Sequence, residues 1–466
     1  MTINIQPLLK TGMPKYLAIA KALEEAIARG ELLPGTRLPT HRVLAEQLQV
    51  SVQTVSNAYA YAEKHGLVTA CVGSGTFVSD YGAGKETELM LVEDKDTEGR
   101  AIDLSIAHPV CTSELSRLFG DTLVRIGQGN TDALIGAMRP VQGQRAHLEA
   151  VAHWLDSQKL PAEPERVLLC NGASQGLMLA MGVLLQPGDL VACEELVDHG
   201  LIARSRMLGV RLCGLPTDRE GIIPAALEEA CRKKKIKVLC CTPSMSNPAS
   251  CHMGPERREA IAEIARRHHL MVIEDDVYGA LEPDRLPPLS SLLPDQAFYV
   301  TGLTKTVAPG LRCGFLVAPR HLMQHCVARL AASSWMATPL VFEVASRWIQ
   351  DGSLARQIAF QQQEFAVRQR LAREILSGFE YDCHEHGMHL WLRLPEGWGA
   401  DELVSSALQT NILITGYQPF VVDPERRLGR VRLSLGSESS RQRVRHGLQL
   451  LADMLNAPPP PTHFLL

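Results

Sequence analysis

The sequence contains no apolar run that approaches the ~20 residues needed to span a bilayer. Its first residues, Met1 to Pro7, lack both the positive charge and the apolar stretch of a secretory signal. Twelve cysteines are present, but none forms a Cys-x-x-Cys pair, and several, such as Cys240 and Cys241, stand within apolar runs. These absences argue against a membrane protein and against a disulfide-stabilised secreted protein. We therefore expect a cytoplasmic protein with reduced, packed cysteines and no membrane partner.

An excess of charge of one sign is also missing. The 466 residues include 47 basic and 51 acidic side chains, for a formal net charge of −4, which argues against unspecific binding of nucleic acid by the whole molecule. No cysteine or carboxylate stands at metal-ligand spacing from the clustered histidines. We interpret His268 and His269 as a solvated helix end, and His384, His386 and His389 as a solvated loop. We expect no metal site.

A lysine in an unusual setting is the most informative feature that is present. Residues 298–300 form an apolar run typical of a buried strand, and Lys305 follows it closely. Burying a lysine is costly unless the amine finds a partner or does chemistry. Arg312 comes seven residues later, behind a Pro-Gly turn. This pair suits a phosphorylated aldehyde, because the amine can react with the carbonyl and the guanidinium can hold the phosphate.

Three further segments predict strands that end in polar groups. One run ends in carboxylates that include Asp275, and another is followed by a loop that contains Asn247. Residues 167–177 are typical of a strand, a turn and a helix whose first N–H groups, near residues 173–175, could bind an anion. Open α/β sheets bind ligands at the carboxyl ends of their strands. An anion cradle, an amide, a carboxylate and an amine together match the needs of pyridoxal 5′-phosphate.

Residues 101–460 resemble a fold-type I aminotransferase domain, in which a large α/β domain with a mixed sheet is joined to a small C-terminal α+β domain. By this resemblance Lys305 is the catalytic lysine that carries the cofactor. Asp275 would pair with the pyridine nitrogen, and Asn247 and Tyr278 would bind the phenolic oxygen. The resemblance assigns the phosphate to Ala173, Ser174, Gln175, Thr304 and Arg312.

The resemblance also assigns Arg432, in an Arg-Val-Arg-Leu-Ser segment, to the carboxylate of a substrate or effector. Only one of the two arginines of this segment is expected to face the pocket, so Arg430 would face solvent or the partner chain. The family spacing Asp-x-x-Tyr makes Asp276 a bystander. Two positions depart from the family. Gly302 stands where a serine or threonine is usual, and Asp198 stands where an aromatic ring covers the cofactor. We expect cofactor binding with weak or absent transamination.

The first 80 residues predict a separate module. The apolar spacing of one helical face is carried by Tyr16, Ala20, Leu23 and Ile27. Glycines and prolines interrupt the chain at 30–39, after which Thr40 is expected to cap a second helix and Ser51 a third. Residues 67–78 predict two strands around a glycine-rich turn. This order of elements is typical of a winged helix-turn-helix.

Three motifs closely resemble the GntR-type DNA-binding domain: Gly-Thr-Arg-Leu-Pro-Thr-His-Arg from residue 35, Val-Ser-Val-Gln-Thr-Val-Ser-Asn from residue 50, and Gly-Ser-Gly-Thr-Phe-Val from residue 73. The third helix of such a domain lies in the major groove. The residues expected to contact DNA are Arg37, Thr40, Arg42, Ser51, Gln53, Thr54, Asn57 and Gly73. Val52 stands where the family commonly has an arginine, which removes one base contact.

Together the two parts resemble the MocR subfamily of GntR regulators over essentially the whole chain. This resemblance implies a multidomain protein, with a winged helix at 1–80, a linker at 81–100, a large domain with the cofactor site at 101–340 and a small C-terminal domain at 341–466. It also implies a homodimer whose partners are a double-stranded DNA operator and a small amino-compound effector.

The leading hypothesis is a transcriptional regulator that senses an amino compound, or pyridoxal 5′-phosphate itself, through its aminotransferase-like domain. The alternative is a working aminotransferase with a DNA-binding appendage. A third hypothesis is a DNA-binding scaffold that has lost the cofactor. Visible absorption of a bound cofactor separates the third from the others, and turnover with amino donors and keto acids separates the first two.

Overall fold

The computed structural model describes residues 14–28, 32, 35–64, 67–71, 75–78, 101–136 and 138–459. The chain divides into two compact units, Met1–Thr97 and Glu98–Leu466. The predicted linker at 81–100 and the expected DNA contact Gly73 lie outside the described residues. Of the helices that are described, none is long and apolar enough to cross a membrane.

The N-terminal unit contains three helices and a two-stranded antiparallel sheet in its described part. These elements are α1 (Lys15–Ala28), α2 (His41–Leu48), α3 (Val52–Lys64), β1 (Val68–Cys71) and β2 (Gly75–Val78). Helix α2 is capped by Thr40 and ends at Gln49, whose φ of 52° turns the chain towards α3. The expected buried face of α3 is confirmed, since Val55, Tyr59 and Ala62 are all buried.

The second unit is built from the remaining elements. Its helices are α4 (Ser113–Gly127), α5 (Asp132–Ile135), α6 (Arg145–Ser157), α7 (Ala173–Leu184), α8 (His199–Met207), α9 (Pro224–Lys233), α10 (Pro255–Arg267), α11 (Met323–Ser334), α12 (Pro339–Gln350), α13 (Ser353–Ile375), α14 (Ala400–Gln409) and α15 (Arg441–Asn456). Its strands are β3 (Ile102–Asp103), β4 (Val167–Asn171), β5 (Leu190–Glu194), β6 (Arg211–Leu215), β7 (Thr217–Asp218), β8 (Gly221–Ile222), β9 (Ile236–Cys241), β10 (Met271–Asp275), β11 (Ala297–Gly302), β12 (Cys313–Val317), β13 (Tyr381–Cys383), β14 (His389–Arg393), β15 (Ile412–Leu413), β16 (Thr415–Gly416) and β17 (Arg430–Ser434).

A seven-stranded mixed sheet organises this unit, in the order β4-β12-β11-β10-β9-β5-β6. Strand β12 runs antiparallel to both neighbours, and the other adjacent pairs are parallel. Helices cover both faces: Val167 and Leu169 of β4 pack into one apolar core, while Leu168 and Cys170 pack into another. The carboxyl ends of β4, β5, β9, β10 and β11 therefore share one edge of the sheet.

A second, antiparallel sheet has the order β13-β14-β17-β16 and packs against α13, α14 and α15. The short strand β3 pairs in parallel with β15, and Ile102 and Leu104 join the apolar core of this region. The chain thus enters the second unit at the antiparallel sheet. It then continues past the edge of the large sheet, which puts residues 103–108 beside the candidate site.

Candidate functional site

The carboxyl edge of the large sheet brings together the residues singled out by the sequence. Asp275 ends β10, Asn247 lies in the loop after β9, and Lys305 follows β11. Helix α7 begins two residues after β4, so its first N–H groups, which have no acceptor within the helix, open at the same edge. The predicted strands and their order along the sequence are confirmed at these positions.

An arginine closes the start of α7. Gly172 has a φ of +86°, and a Cβ there would lie 2.9 Å from Nη2 of Arg312, so the guanidinium rests directly on the backbone. Arg312 itself has a φ of 48°, which sets its side chain back towards the helix. The hydroxyl of Thr304 is buried without a hydrogen-bond partner among the described residues. These groups form a compact cradle for an anion.

Two of the residues expected to bind phosphate have other partners. Ser174 Oγ accepts a hydrogen bond from Nη1 of Arg204 at 3.3 Å. The side chain of Gln175 accepts from the N–H of Asn171 and donates to Ser334, at 2.8 and 2.9 Å. Ser174 therefore faces the cradle together with a second arginine, whereas the side chain of Gln175 holds the turn in shape.

The glycine that departs from the family pattern is enforced by packing. A Cβ on Gly302 would lie 2.5 Å from the carbonyl oxygen of Cys313 on the adjacent strand β12. A serine or threonine at this position would require the two strands to separate. The missing hydroxyl is thus a consequence of how β11 and β12 pair.

Asp198, the second departure, is built into a hydrogen-bond network. One carboxylate oxygen caps α8 through the N–H of Gly200, and the other accepts from Nδ2 of Asn247, each at 2.8 Å. Burial opposes ionisation of Asp198, but neighbouring basic side chains, first His199 and then Lys305, hold the pKa of its carboxyl below the usual value. Asp198 is therefore a fixed anion beside the candidate lysine.

Arg432 extends this network to the antiparallel sheet. Its guanidinium donates to Oδ1 of Asn247 at 3.1 Å and to the carbonyl oxygen of Ser105, and it lies 4.8 Å from the ring centroid of Phe420. Arg430 lies two residues before Arg432 on the same strand and therefore on the same face of the sheet, but it contacts Asp382 instead. Arg432 is buried, and one of its nitrogens, Nε, has no partner among the described residues.

The two neighbouring aspartates have different environments. Burial raises the pKa of Asp275 to about 7 against the opposing charge of Arg204, and its Oδ1 has no partner within the described structure. Asp276 is buried behind the sheet, where it accepts hydrogen bonds from Arg285 at 2.6 Å and Tyr299 at 2.7 Å. Asp276 thus has a structural role, which agrees with its expected place as a bystander.

Lys305 contacts a segment that the sequence did not connect with the site. Its amine donates to the carbonyl oxygen of Ala107, and burial lowers the pKa of the amine. The hydroxyls of Ser434 and Ser437 donate hydrogen bonds to the carbonyl oxygen of Ile106, the residue before Ala107. Residues 105–107 are therefore fastened by side chains of the site and its surroundings. No periodicity or motif in this segment indicates such contacts.

Other functional candidates were also missed. Arg204 lies in α8 without a motif around it. It nevertheless contacts Ser174, and its positive charge opposes the rise in the pKa of Asp275 that burial causes. His389 was expected in a solvated loop, and that interpretation is wrong. It is 1 % exposed in strand β14, its ring lies edge-on to Tyr278, and burial lowers its pKa to about 3. Its burial follows from strand pairing, which the spacing of histidines cannot show.

The unpartnered atoms of the site form a set that fits pyridoxal 5′-phosphate. Buried polar atoms normally have hydrogen-bond partners. Those that the described structure leaves without one at this edge include Asp275 Oδ1, Thr304 Oγ1, Arg204 Nε and Arg432 Nε. A free carboxylate oxygen suits a protonated ring nitrogen, while the hydroxyl and the guanidinium groups suit anions. The donor set therefore matches a ligand with one basic nitrogen and several anionic oxygens.

Glu194, at the end of β5, gives a prediction about pH. Burial raises the pKa of its carboxyl to about 7, from a usual value of 4.5. The folded protein therefore holds this proton more tightly than the unfolded chain. Its contribution to stability is fully present below about pH 4.5 and is lost as the pH rises through about 7, at a slope of up to about 1.4 kcal/mol per pH unit.

Replacing Glu194 by glutamine will flatten this dependence, because the amide has no proton to lose. Urea unfolding of the cofactor-free protein between pH 5 and pH 8 measures the change. Exchange of the exposed Glu396 for glutamine serves as the control. Parallel stability curves for the wild type and both variants would contradict the assignment.

The residues expected to contact DNA lie in the N-terminal unit. Arg42, Gln53 and Asn57 are exposed, and the two amides bind each other at 2.9 Å. Ser51 caps α3 through the N–H of Thr54 at 3.1 Å. Arg37 lies against β2, where a Cβ on Gly75 would come within 2.9 Å of its Nε. The structure thus presents polar groups of the predicted type on α2, α3 and the start of β2.

Comparison with known proteins adds independent information. The family model for aminotransferase class I and II matches residues 128–451, and that for bacterial regulatory proteins of the gntR family matches residues 15–78. The HTH-type transcriptional regulator YdeF of Bacillus subtilis is 29 % identical over 451 residues, which cover 96 % of each chain. The HTH-type pyridoxine biosynthesis transcriptional regulator PdxR of Corynebacterium glutamicum is 27 % identical and covers 68 % of this chain and 69 % of its own.

The second unit also has close structural relatives. LysN, an α-aminoadipate aminotransferase from Thermus thermophilus, was solved in complex with N-(5′-phosphopyridoxyl)-L-leucine. It superimposes with a TM-score of 0.70 at 24 % identity, over 78 % of this chain and 93 % of its own. At this identity the likeness establishes the fold. The expected fold class, a winged helix-turn-helix joined to a fold-type I aminotransferase domain, is confirmed.

Proposed function

This chain belongs to the aminotransferase class I and II family and carries a gntR-family domain ahead of it, and from this membership we propose that it is a pyridoxal 5′-phosphate-dependent transcriptional regulator. One observation carries the proposal. A single chain carries both a DNA-binding domain and a site whose charged side chains complement those of pyridoxal 5′-phosphate. Relatives that share nearly the whole length are named as HTH-type transcriptional regulators, which supports regulation as the role.

The site residues would hold the cofactor in the way their contacts suggest. Arg312 and the start of α7, with Ala173 and Ser174, would bind the phosphate together with Thr304. Asp275 would face the ring nitrogen, and Asn247 with Tyr278 the phenolic oxygen. When bound, pyridoxal 5′-phosphate supplies an aldehyde that reacts reversibly with amines, including that of Lys305. Gln175 supports the cradle through Asn171 and Ser334 rather than by its own side chain.

The effector we propose is a small amine that carries a carboxylate. Arg432 is buried, which strengthens its attraction for an anion, and its planar guanidinium suits a two-pronged contact. Burial lowers the pKa of the Lys305 amine from its usual value, which increases the share of the neutral form that reacts with a carbonyl. The name of the Corynebacterium relative connects such a regulator with pyridoxine biosynthesis, so the cofactor itself is the second candidate signal.

Efficient transamination has less support. Asp198 caps α8 and binds Asn247, so its carboxylate is held beside the site. A carboxylate cannot stack on the cofactor ring as the aromatic side chain usual at this position does. Gly302 cannot acquire a hydroxyl-bearing side chain without moving Cys313. Weak positioning of the cofactor lowers the rate, since reaction depends on orientation. We therefore place regulation ahead of a working aminotransferase as the function.

On the DNA side, we propose that α3 enters the major groove of an operator and that Arg37 and Arg42 contact DNA beside it. The proposed active form is a cytoplasmic homodimer, because a two-fold pair presents two such helices to two half-sites. The proposed domain boundaries remain those given by the sequence.

One experiment distinguishes a sensing role of the site from a catalytic role. The full chain, loaded with pyridoxal 5′-phosphate, is titrated with single amino acids while its affinity for the DNA upstream of its own gene is measured by fluorescence anisotropy. We expect one amino compound, or the cofactor, to change the affinity. Turnover on the same compounds should stay far below the enzyme range of about 1–10³ per second.

A matched variant makes the result specific. Exchange of Arg432 for leucine should abolish the response of the DNA affinity to the amino acid. Exchange of Arg430 for leucine, two residues away on the same strand and paired with Asp382, is the control. Turnover within the enzyme range on a compound that leaves DNA affinity unchanged would favour the aminotransferase alternative.

A further inference from the structure

Three side chains far apart in the sequence meet outside the cofactor site. His252 follows the loop after β9, Glu282 follows the turn after β10, and His384 follows β13. One ligand atom of each lies within 4.8 Å of those of the other two. The cluster consists of two imidazoles and one carboxylate, all of them partly buried. Within the described residues no other group of this kind is found.

The geometry of the cluster suits a tetrahedral metal ion. Nε2 of His252 lies 3.3 Å from Oε1 of Glu282. Two ligand atoms that are each ~2.0–2.1 Å from a tetrahedral Zn²⁺ stand about 3.3 Å apart. The rings of His252 and His384 have centroids 5.3 Å apart and are inclined by 40°, so they converge without stacking. The three atoms therefore need little movement to share one ion.

Charge favours a cation at this point. Glu282 is partly buried, and only one of its two carboxylate oxygens, Oε1, contacts Nε2 of His252. Glu282 is left with an oxygen, Oε2, that is buried and without a hydrogen bond among the described residues. Buried carboxylates are normally paired or bound to metal.

The nearby arginines do not meet this need. Arg258 donates to Met253, Pro287 and Ser244. Arg285 donates to Gln158 and Asp276. The described hydrogen bonds of both guanidinium groups therefore lead away from Glu282, and its free oxygen stays available to a metal ion.

We propose that His252, Glu282 and His384 form a binding site for a divalent transition-metal ion of the zinc class. Two nitrogens and one carboxylate oxygen are ligands that Zn²⁺ accepts, whereas Mg²⁺ and Ca²⁺ prefer oxygen alone. A water molecule completes the four ligands. Nδ1 of His384 accepts the N–H of His386 at 3.2 Å, and this hydrogen bond is given up when the imidazole of His384 binds the ion.

The position of the site gives the metal a structural consequence. His252 comes five residues after Asn247, Glu282 four residues after Tyr278, and His384 five residues before His389. A bound ion therefore ties together three segments that each carry a residue of the candidate cofactor site. It joins the loops of the large sheet to the antiparallel sheet, so it stabilises the folded state by mass action and limits movement between these parts.

Zinc uptake by the full-length protein tests the proposal. The protein is stripped with a chelator, incubated with Zn²⁺ alone at micromolar concentration, desalted and analysed by native mass spectrometry. We expect one zinc per chain and a rise in the unfolding temperature. His384→Asn and the isosteric Glu282→Gln should each weaken binding by more than the roughly 10–100-fold that loss of an outer partner costs.

The matched control is His386→Asn, because this neighbouring ring binds the carbonyl of Gln362 and is not part of the cluster. It should take up zinc like the wild type. Circular dichroism and cofactor absorbance establish that each variant is folded. Equal uptake by all variants, no uptake by the wild type, or loss of zinc only after cysteine alkylation would each overturn the site. DNA affinity, measured on the same samples, tests the proposed function separately.

Discussion

Replacing Lys305 by alanine will abolish the covalent attachment of pyridoxal 5′-phosphate to the protein. Lys305 follows β11 at the sheet edge where Asp275 and Arg312 also lie, and burial lowers the pKa of its amine. A neutral, buried amine is the form that attacks a carbonyl. The phosphate cradle is untouched by the substitution, so the variant should still bind the cofactor reversibly and release it on desalting.

Borohydride treatment followed by peptide mass mapping measures this result. The wild type should carry the pyridoxyl group on the peptide that contains Lys305, and the variant should carry none. Lys237→Ala, which removes an exposed lysine from strand β9 of the same sheet, is expected to behave like the wild type. A pyridoxyl group on any other lysine of the wild type would show that the site has been assigned to the wrong amine.

Removing Arg42 will weaken operator binding by ~1–3 kcal/mol if its guanidinium contacts a base. If it contacts a phosphate, the slope of the logarithm of affinity against the logarithm of salt concentration will instead fall in magnitude by about one. Arg42 is exposed at the start of α2, close to the capping residue Thr40. Its side chain has freedom to reach DNA because it contributes nothing to the apolar core of the unit.

Lys21→Ala provides the control, since it removes the same charge from an exposed position on α1. Binding of the operator is measured by fluorescence anisotropy at several salt concentrations. Equal affinity and equal salt dependence for Arg42→Ala and the wild type would exclude a DNA contact at this position. Equal losses for both variants would show a general effect of charge rather than a specific contact.

Strands and helices were predictable where local patterns were strong. The apolar runs that end in Asp275 and before Lys305 are the strands β10 and β11, and the strand and helix expected within residues 167–177 are β4 and the start of α7. A buried parallel strand is marked by its own composition. The polar residue that follows such a strand is therefore placed at the sheet edge without knowledge of any other segment.

Contacts between distant segments were not predictable in the same way. Arg204 approaches Ser174 only because α8 packs beside α7, and Ala107 meets Lys305 only because the chain crosses the sheet edge. His389 was assigned to solvent because histidine spacing carries no information on strand pairing. The same reason explains why His384 was not connected with His252 and Glu282, which lie more than a hundred residues before it.

The backbone carbonyls of residues 105–107 occupy hydrogen-bond donors of the site, so a ligand would have to compete with them. Lys305 and Arg432 give hydrogen bonds to the carbonyls of Ala107 and Ser105, and these are the same donors that an amino acid bound here would require. A donor cannot serve both acceptors fully. By thermodynamic linkage, each kcal/mol that holds this segment in place is subtracted from ligand affinity, and each ligand that binds loosens the segment by the same amount. Since this segment follows directly on β3 at the start of the second unit, a ligand that takes these donors would change the contacts of the backbone where the chain enters that unit.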